Sequence, residues 1–130
     1  MSQNTAPVTH RETVREYLTV RQVQERQDLE RVHPVGEIDL YTAPALRDAL
    51  ADTDRREVPN VMVDLSQVHF LALIGIQVLQ AAGERKAEAN RRLVVVASTP
   101  NVQRVLSLTD VAADLEIYTS TSGARSALAR

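Results

Sequence analysis

Two short, almost unbroken apolar runs constrain this chain more than anything else in it: Val61-Met62-Val63-Asp64-Leu65 and Leu93-Val94-Val95-Val96-Ala97. The first is the kind of strand that is buried on both sides of a parallel sheet, so it is read as the central strand. Parallel neighbours need long crossovers, and right-handed crossovers pack helices back onto the sheet.

The rest of the chain supplies those parts. Period-two alternation marks Leu18, Val20 and Val23 as one strand and Leu29, Val32, Val35 and Ile38 as a second, with Gln27-Asp28 as the hairpin turn. Thr42-Ala43-Pro44 reads as a helix start, Thr42 as cap and Pro44 in the first turn, for a helix from Ala43 to about Asp54. A second helix is expected from about Ala72 to Asn90, with Ile76, Leu79 and Gly83 inward and Glu84, Arg85, Lys86 and Glu88 mostly in water. Ser98-Thr99-Pro100-Asn101 starts a third helix, Leu115 to Tyr118 is a last strand, and Thr121 to Ala129 is a last short helix. The segment before Leu18 reads as a tail, residues 1–16, in which Thr9 and Glu12 are spaced as a capping box for a short helix over His10 to Tyr17. The expectation is an α/β domain over residues 17–130: a mixed sheet of about five strands with about four helices, chiefly on one face.

Composition narrows function. With 130 residues, 44% apolar, one domain can build its core without staples. The absence of Cys removes disulfides, thiol nucleophiles and Cys-based metal sites, and fits a reducing compartment. A net charge of −2 provides no basic field for a nucleic acid or an anionic membrane. No apolar run approaches the roughly 20 residues of a membrane span, so the chain is expected in the cytoplasm. The four glycines form neither a dinucleotide fingerprint nor a P-loop. His10, His33 and His69 make no metal pattern, and Ser66 and Ser98 sit in no nucleophile elbow. No cofactor, metal or catalytic residue is expected.

Three stretches carry a resemblance: Gly36-Glu37-Ile38-Asp39-Leu40-Tyr41-Thr42-Ala43-Pro44-Ala45-Leu46, Val63-Asp64-Leu65-Ser66-Gln67-Val68-His69-Phe70, and Asn101-Val102-Gln103-Arg104-Val105-Leu106. Together they resemble the STAS domain of bacterial anti-sigma-factor antagonists, over about Leu18 to Arg130. The resemblance implies a partner that is an anti-sigma factor and a serine kinase of ATPase fold, and an interaction ended by phosphorylation of a Ser at a helix start. The usual motif after the aromatic residue, one variable position and then Asp-Ser-Ser/Ala-Gly-Leu, falls here on Leu71, Ala72, Leu73, Ile74, Gly75 and Ile76. Leu73 stands where the phosphoacceptor would be and has no atom that can accept phosphate. Ser66 and Thr42 are the conceivable second-site acceptors.

The partner surface is therefore expected at Asp39, Leu40, Tyr41 and Thr42 together with Ala72, Leu73, Ile74 and Gly75. At 100° per residue from a face set by Ile76, Leu79 and Gly83, Ile74 points roughly 160° outward and Leu73 roughly 60°, which makes Ile74 the expected anchor. The competing reading tucks all three apolar residues, 72 to 74, into the core. At the level of function, the alternatives are a structural subunit that forms homodimers or joins other STAS proteins, and a regulator that has lost its partner. Glu37 reads as a solvated strand residue, Asp39 as a turn stabiliser bonding backbone N–H groups, Asp64 as structural, and Arg91-Arg92 as a solvated pair at a helix C-terminus.

Overall fold

The structure, a computed structural model, describes residues 8–129. Its elements run β1 (Val8–Arg15), β2 (Leu18–Arg26), β3 (Leu29–Ile38), α1 (Ala43–Arg55), β4 (Asn60–Asp64), β5 (Gln67–Leu71), α2 (Leu73–Glu88), β6 (Arg92–Val96), α3 (Pro100–Ser107), a 3-10 turn over Asp110–Asp114, β7 (Ile117–Tyr118) and α4 (Thr121–Leu128). All seven strands join one sheet in the order β1-β2-β3-β4-β6-β7, with β5 also paired to β3. The β1-β2-β3 meander is antiparallel and the remaining pairings are parallel.

β3 is a forked strand. Leu29 to Val32 pair with Asn60 to Val63 of β4, whereas Val35 to Ile38 pair with Gln67 to Leu71 of β5. After β4 the chain turns at Leu65-Ser66 and returns to β3 further along it, so the sheet ends in a β3–β5 pair that leads into α2.

Alternation sorts the side chains into two cores. Val61, Val63, Leu93 and Val95 join the larger one, which α1, α2 and α3 cover with Leu46, Leu50, Ile76, Leu79, Val102 and Leu106. Met62, Val94 and Val96 point the other way and are covered, with Leu29, by Ala124 and Leu128 of α4. Both apolar runs are thus buried on two sides, as their composition requires, and three of the four helices share one face. Local caps agree with the start signals: Thr99 Oγ1 accepts from Val102 N–H at 3.4 Å, and Ser120 Oγ from Gly123 N–H at 3.0 Å.

Several expectations are corrected. The segment expected as a helix over His10 to Tyr17 is β1 as far as Arg15, an edge strand whose partner β2 supplies its hydrogen bonds. Residues 1–7 of the expected tail lie outside the described residues. β5, absent from the expected order, is a strand inserted where a direct strand-to-helix passage was anticipated.

Lys86, expected in water, is 1% exposed. Its Nζ donates to Thr53 Oγ1 at 2.9 Å and pairs with Asp54 Oδ1 at 3.1 Å, which ties α2 to α1. Burial pulls the Lys86 pKa down, with Asp54 opposing it. Arg91 and Arg92 are not a free solvated pair either; they bridge to Glu57 and Glu116 on other elements.

Candidate functional site

The last residues of β3 set the site. Asp39 begins a turn closed by its own carboxylate, which accepts Thr42 N–H at 2.9 Å, while Thr42 Oγ1 donates to Glu37 C=O at 2.8 Å and accepts from Asp39 N–H at 2.9 Å. Asp39 thus holds the turn as its residue type suggests. Thr42 begins α1 without bonding the helix by its side chain; its hydroxyl is buried and ties the turn instead. This brace holds Leu40 and Tyr41, 77% and 71% exposed, out in solvent.

Across from the turn, Ala72 N–H donates to Ile38 C=O at 2.8 Å, which brings the start of α2 beside the end of β3. Gly75 lies in the crossing: a Cβ there would stand 2.6 Å from Ile38 Cγ2 and 2.8 Å from Leu71 Cδ1. No side chain caps the first turn of α2. Leu73, its first residue, is 49% exposed, while Ile74 packs against the larger core.

Leu73 rather than Ile74 is therefore the outward anchor. The angles were counted from Ile76, which lies at one edge of the inward face, about 90° from its middle. Taking Gly75, Leu79, Ala82 and Lys86 as that face turns Leu73 roughly 150° outward and Ile74 roughly 110°. Of the eight expected contact residues, Leu40, Tyr41 and Leu73 form an exposed rim, and Asp39, Ala72 and Ile74 are half-buried beside it. Thr42 and Gly75 are buried, and act beneath the surface rather than on it. Asn101 Nδ2 steadies the neighbouring strand by donating to His69 C=O at 3.1 Å.

Asp64, at the end of β4, is held by structural partners. Asp64 Oδ1 accepts Ser66 N–H at 3.0 Å, and Oδ2 lies 3.6 Å from Arg31 and 3.9 Å from His33. His33 is half-buried, and burial pulls its pKa down. Among the described residues no group of His, Cys, Asp and Glu is placed to hold a metal ion.

The model of the STAS domain matches residues 21–124. The chain belongs to the STAS-domain family. This STAS domain is 40% identical over 50 residues to the anti-sigma-F factor antagonist RsfB of Mycobacterium tuberculosis, a match covering 38% of the chain and 41% of that relative's length. It is 28% identical over 82 residues to the anti-sigma-B factor antagonist of Listeria monocytogenes, covering 63% of the chain and 72% of the relative. A crystal structure of an anti-sigma factor antagonist from Mycobacterium paratuberculosis superposes over the whole of both chains with a TM-score of 0.73 at 26% identity. The unphosphorylated form of the antagonist SpoIIAA shares the fold, with a TM-score of 0.65 at 11% identity over 85% of this chain and 97% of that one. No helix among the described residues is long and apolar enough to cross a membrane.

Two exposed aromatic side chains escaped the sequence reading. Phe70 is 50% exposed at the end of β5, and Tyr17 is 64% exposed in the β1–β2 turn, where its carbonyl accepts Glu37 N–H at 2.8 Å. Only the strand register brings them to this end of the sheet; nothing in their local sequence announces it.

Proposed function

We propose that this STAS domain is a non-catalytic antagonist that binds an anti-sigma factor of the ATPase-fold serine-kinase type through the rim of Leu40, Tyr41 and Leu73, and that the contact carries no phosphorylation switch at its centre. The observation that carries the reading is Leu73: an apolar side chain at the first position of α2, half in solvent, where the family's motif has its phosphoacceptor. A phosphate at such a place adds about −1.5 to −2 charge and repels an acidic or apolar partner surface. A leucine there leaves docking insensitive to the partner's kinase activity.

The other hydroxyls near the site do not restore a switch. Thr42 is buried and its oxygen is engaged on both sides. Ser66 sits against the Asp64 carboxylate, where a phosphate would meet a like charge. Control then falls to protein level or to the segment preceding β1.

The test is titration calorimetry against candidate anti-sigma factors, with and without ATP and Mg2+. The expected result is one complex of unchanged affinity in both conditions, lost in Leu73→Asp, with no phosphate on the antagonist by mass spectrometry. Stoichiometric phosphorylation that dissolves the complex refutes the unswitched contact, and binding that survives Leu73→Asp refutes the rim.

A further inference from the structure

We infer that α4 is a latched strap: it leaves the sheet as one piece while the rest of the domain stays folded, baring Leu29, Met62, Val94 and Val96, and arginines of β2, β6 and α4 itself hold it shut. The inference stands apart from the rim and concerns the smaller core.

Burial sets the weakness of the contact. α4 packs on β4, β6 and β7 but buries only Ala124 and Leu128. By contrast α1 buries Leu46, Leu50 and three alanines, and α2 buries Ile76, Val78, Leu79 and Ala82. Apolar stabilisation scales with the area removed from water, so an alanine and a leucine are a thin seal for a helix. Off the sheet, the eight residues of α4 cannot hold a helix, which needs about 12–15 to persist alone. Undocking and unwinding of Thr121–Leu128 are therefore one event.

Polar contacts supply what the seal lacks. Arg26 of β2 donates to Leu128 C=O at 3.1 Å and Arg92 of β6 to Ala127 C=O at 3.2 Å, so cations from two strands meet the negative end of the helix dipole. Arg125 reaches from α4 to the Glu25 carboxylate of β2 with two hydrogen bonds, at 2.5 Å and 3.0 Å. Ser120 Oγ serves the first turn. With both ends of α4 capped, release one residue at a time from either end is suppressed. The side chains of Arg26, Arg92 and Arg125 are 31%, 41% and 42% exposed, within reach of dissolved ions, so salt weakens this latch.

Strand alternation supplies a reporter for the motion. Val94 lies in the smaller core under α4, whereas its neighbour Val95 lies in the larger core under the other helices. Opening of the strap exposes the first and leaves the second sealed.

The chain has no Cys, so a single introduced thiol is a clean probe. Val94→Cys and Val95→Cys are made in the full chain, and their reaction with a thiol reagent is followed under native conditions. Val94→Cys is expected to react about 100-fold faster or more, with a much weaker dependence on urea, because a local opening lies below global unfolding. Adding Arg26→Met or Arg125→Met, each of which keeps most of the side-chain stem, should speed Val94→Cys about 3- to 10-fold. Raising NaCl to roughly 1 M should speed it in the same direction. In amide exchange, Ala124 to Leu128 should open together with the urea dependence of Val94→Cys. Equal rates and equal urea dependence at the two thiols overturn the strap. A Val94→Cys rate indifferent to both arginine changes and to salt overturns the latch, and amides released in a gradient from Leu128 back to Ala124 overturn the single-piece opening.

Discussion

Replacing Gly75 by Ala tests whether the crossing of α2 over the end of β3 positions the rim. The added methyl would stand 2.6 Å from Ile38 Cγ2 and 2.8 Å from Leu71 Cδ1, against the ~3.5–4.0 Å at which carbon atoms rest. Leu71 can swing its terminal methyl aside. Ile38 cannot, because Cγ2 is attached at the branched Cβ and its rotamer is restricted on a strand. The first turn of α2 must therefore lift by about 1 Å, at an overpacking cost of about 1–3 kcal/mol. Alanine's helix propensity returns at most ~1 kcal/mol, and less in a first turn. The net is a loss of about 1–2 kcal/mol, or roughly 3–8 °C in a domain of this size.

Urea unfolding followed by circular dichroism reads that loss directly. The same change made in an Ile38→Ala background should be neutral or stabilising, since the obstructing methyl is gone. Lifting α2 also strains the Ala72 N–H to Ile38 C=O bond, so affinity for the partner should fall alongside stability. A Gly75→Ala protein as stable as wild type with Ile38 intact would refute the argument.

Thr42→Val keeps the shape of the side chain but strips a hydrogen-bond partner from Glu37 C=O and Asp39 N–H. It should cost about 1–3 kcal/mol and speed amide exchange at Asp39, with Thr42→Ser close to wild type in both readouts. Leu73→Ala, at a side chain half in solvent already, should change stability by less than about 0.5 kcal/mol. Its binding loss should be roughly 4- to 13-fold, about half of a full Leu burial, measurable by calorimetry.

Acid should destabilise the domain in two windows. His33 has its pKa lowered by burial, outweighing the attraction of Asp64, so the unfolded chain binds the proton first and stability falls as pH drops below about 6.5. At Glu25, burial pushes the carboxyl up, but Arg125 and Arg31 outweigh it and hold it below its usual range. Asp52, with Arg56 and Gln22, and Glu116, with Arg92, are held down in the same direction. Their contribution is complete above about pH 4.3 and is lost as pH falls through the depressed values. Denaturation midpoints against pH should show both steps, and His33→Gln should erase the first alone.

What the sequence disclosed, and what it hid, follow from geometry. The runs at 61–65 and 93–97 were legible because burial on both sides leaves no polar alternation to misread. β5 was not legible, since the irregularity opposite Gly36 and Glu37 places its inward residues, Val68 and Leu71, three apart, a helical spacing. β1 is an edge strand, and the charged side chains that keep such an edge from pairing with other chains also resemble a solvated helix. At the site, the turn of Asp39 to Thr42 was readable from residue type. The exchange of Leu73 for Ile74 was not, because Ile76, from which the turn is counted, sits at the edge of the buried face of α2 and only the packed helix shows where its middle lies. Tyr17 and Phe70 depend on strand pairing between distant segments, which composition does not encode.

Lys86 is the chain's single lysine, and its ammonium is sealed between α1 and α2. Acetylation, ubiquitin attachment and amine-directed cross-linkers consequently find no side-chain amine on the folded surface. Proximity mapping of this STAS domain should rely on carboxylate- or arginine-directed reagents, and any lysine modification detected on it would report an opened α1–α2 seam.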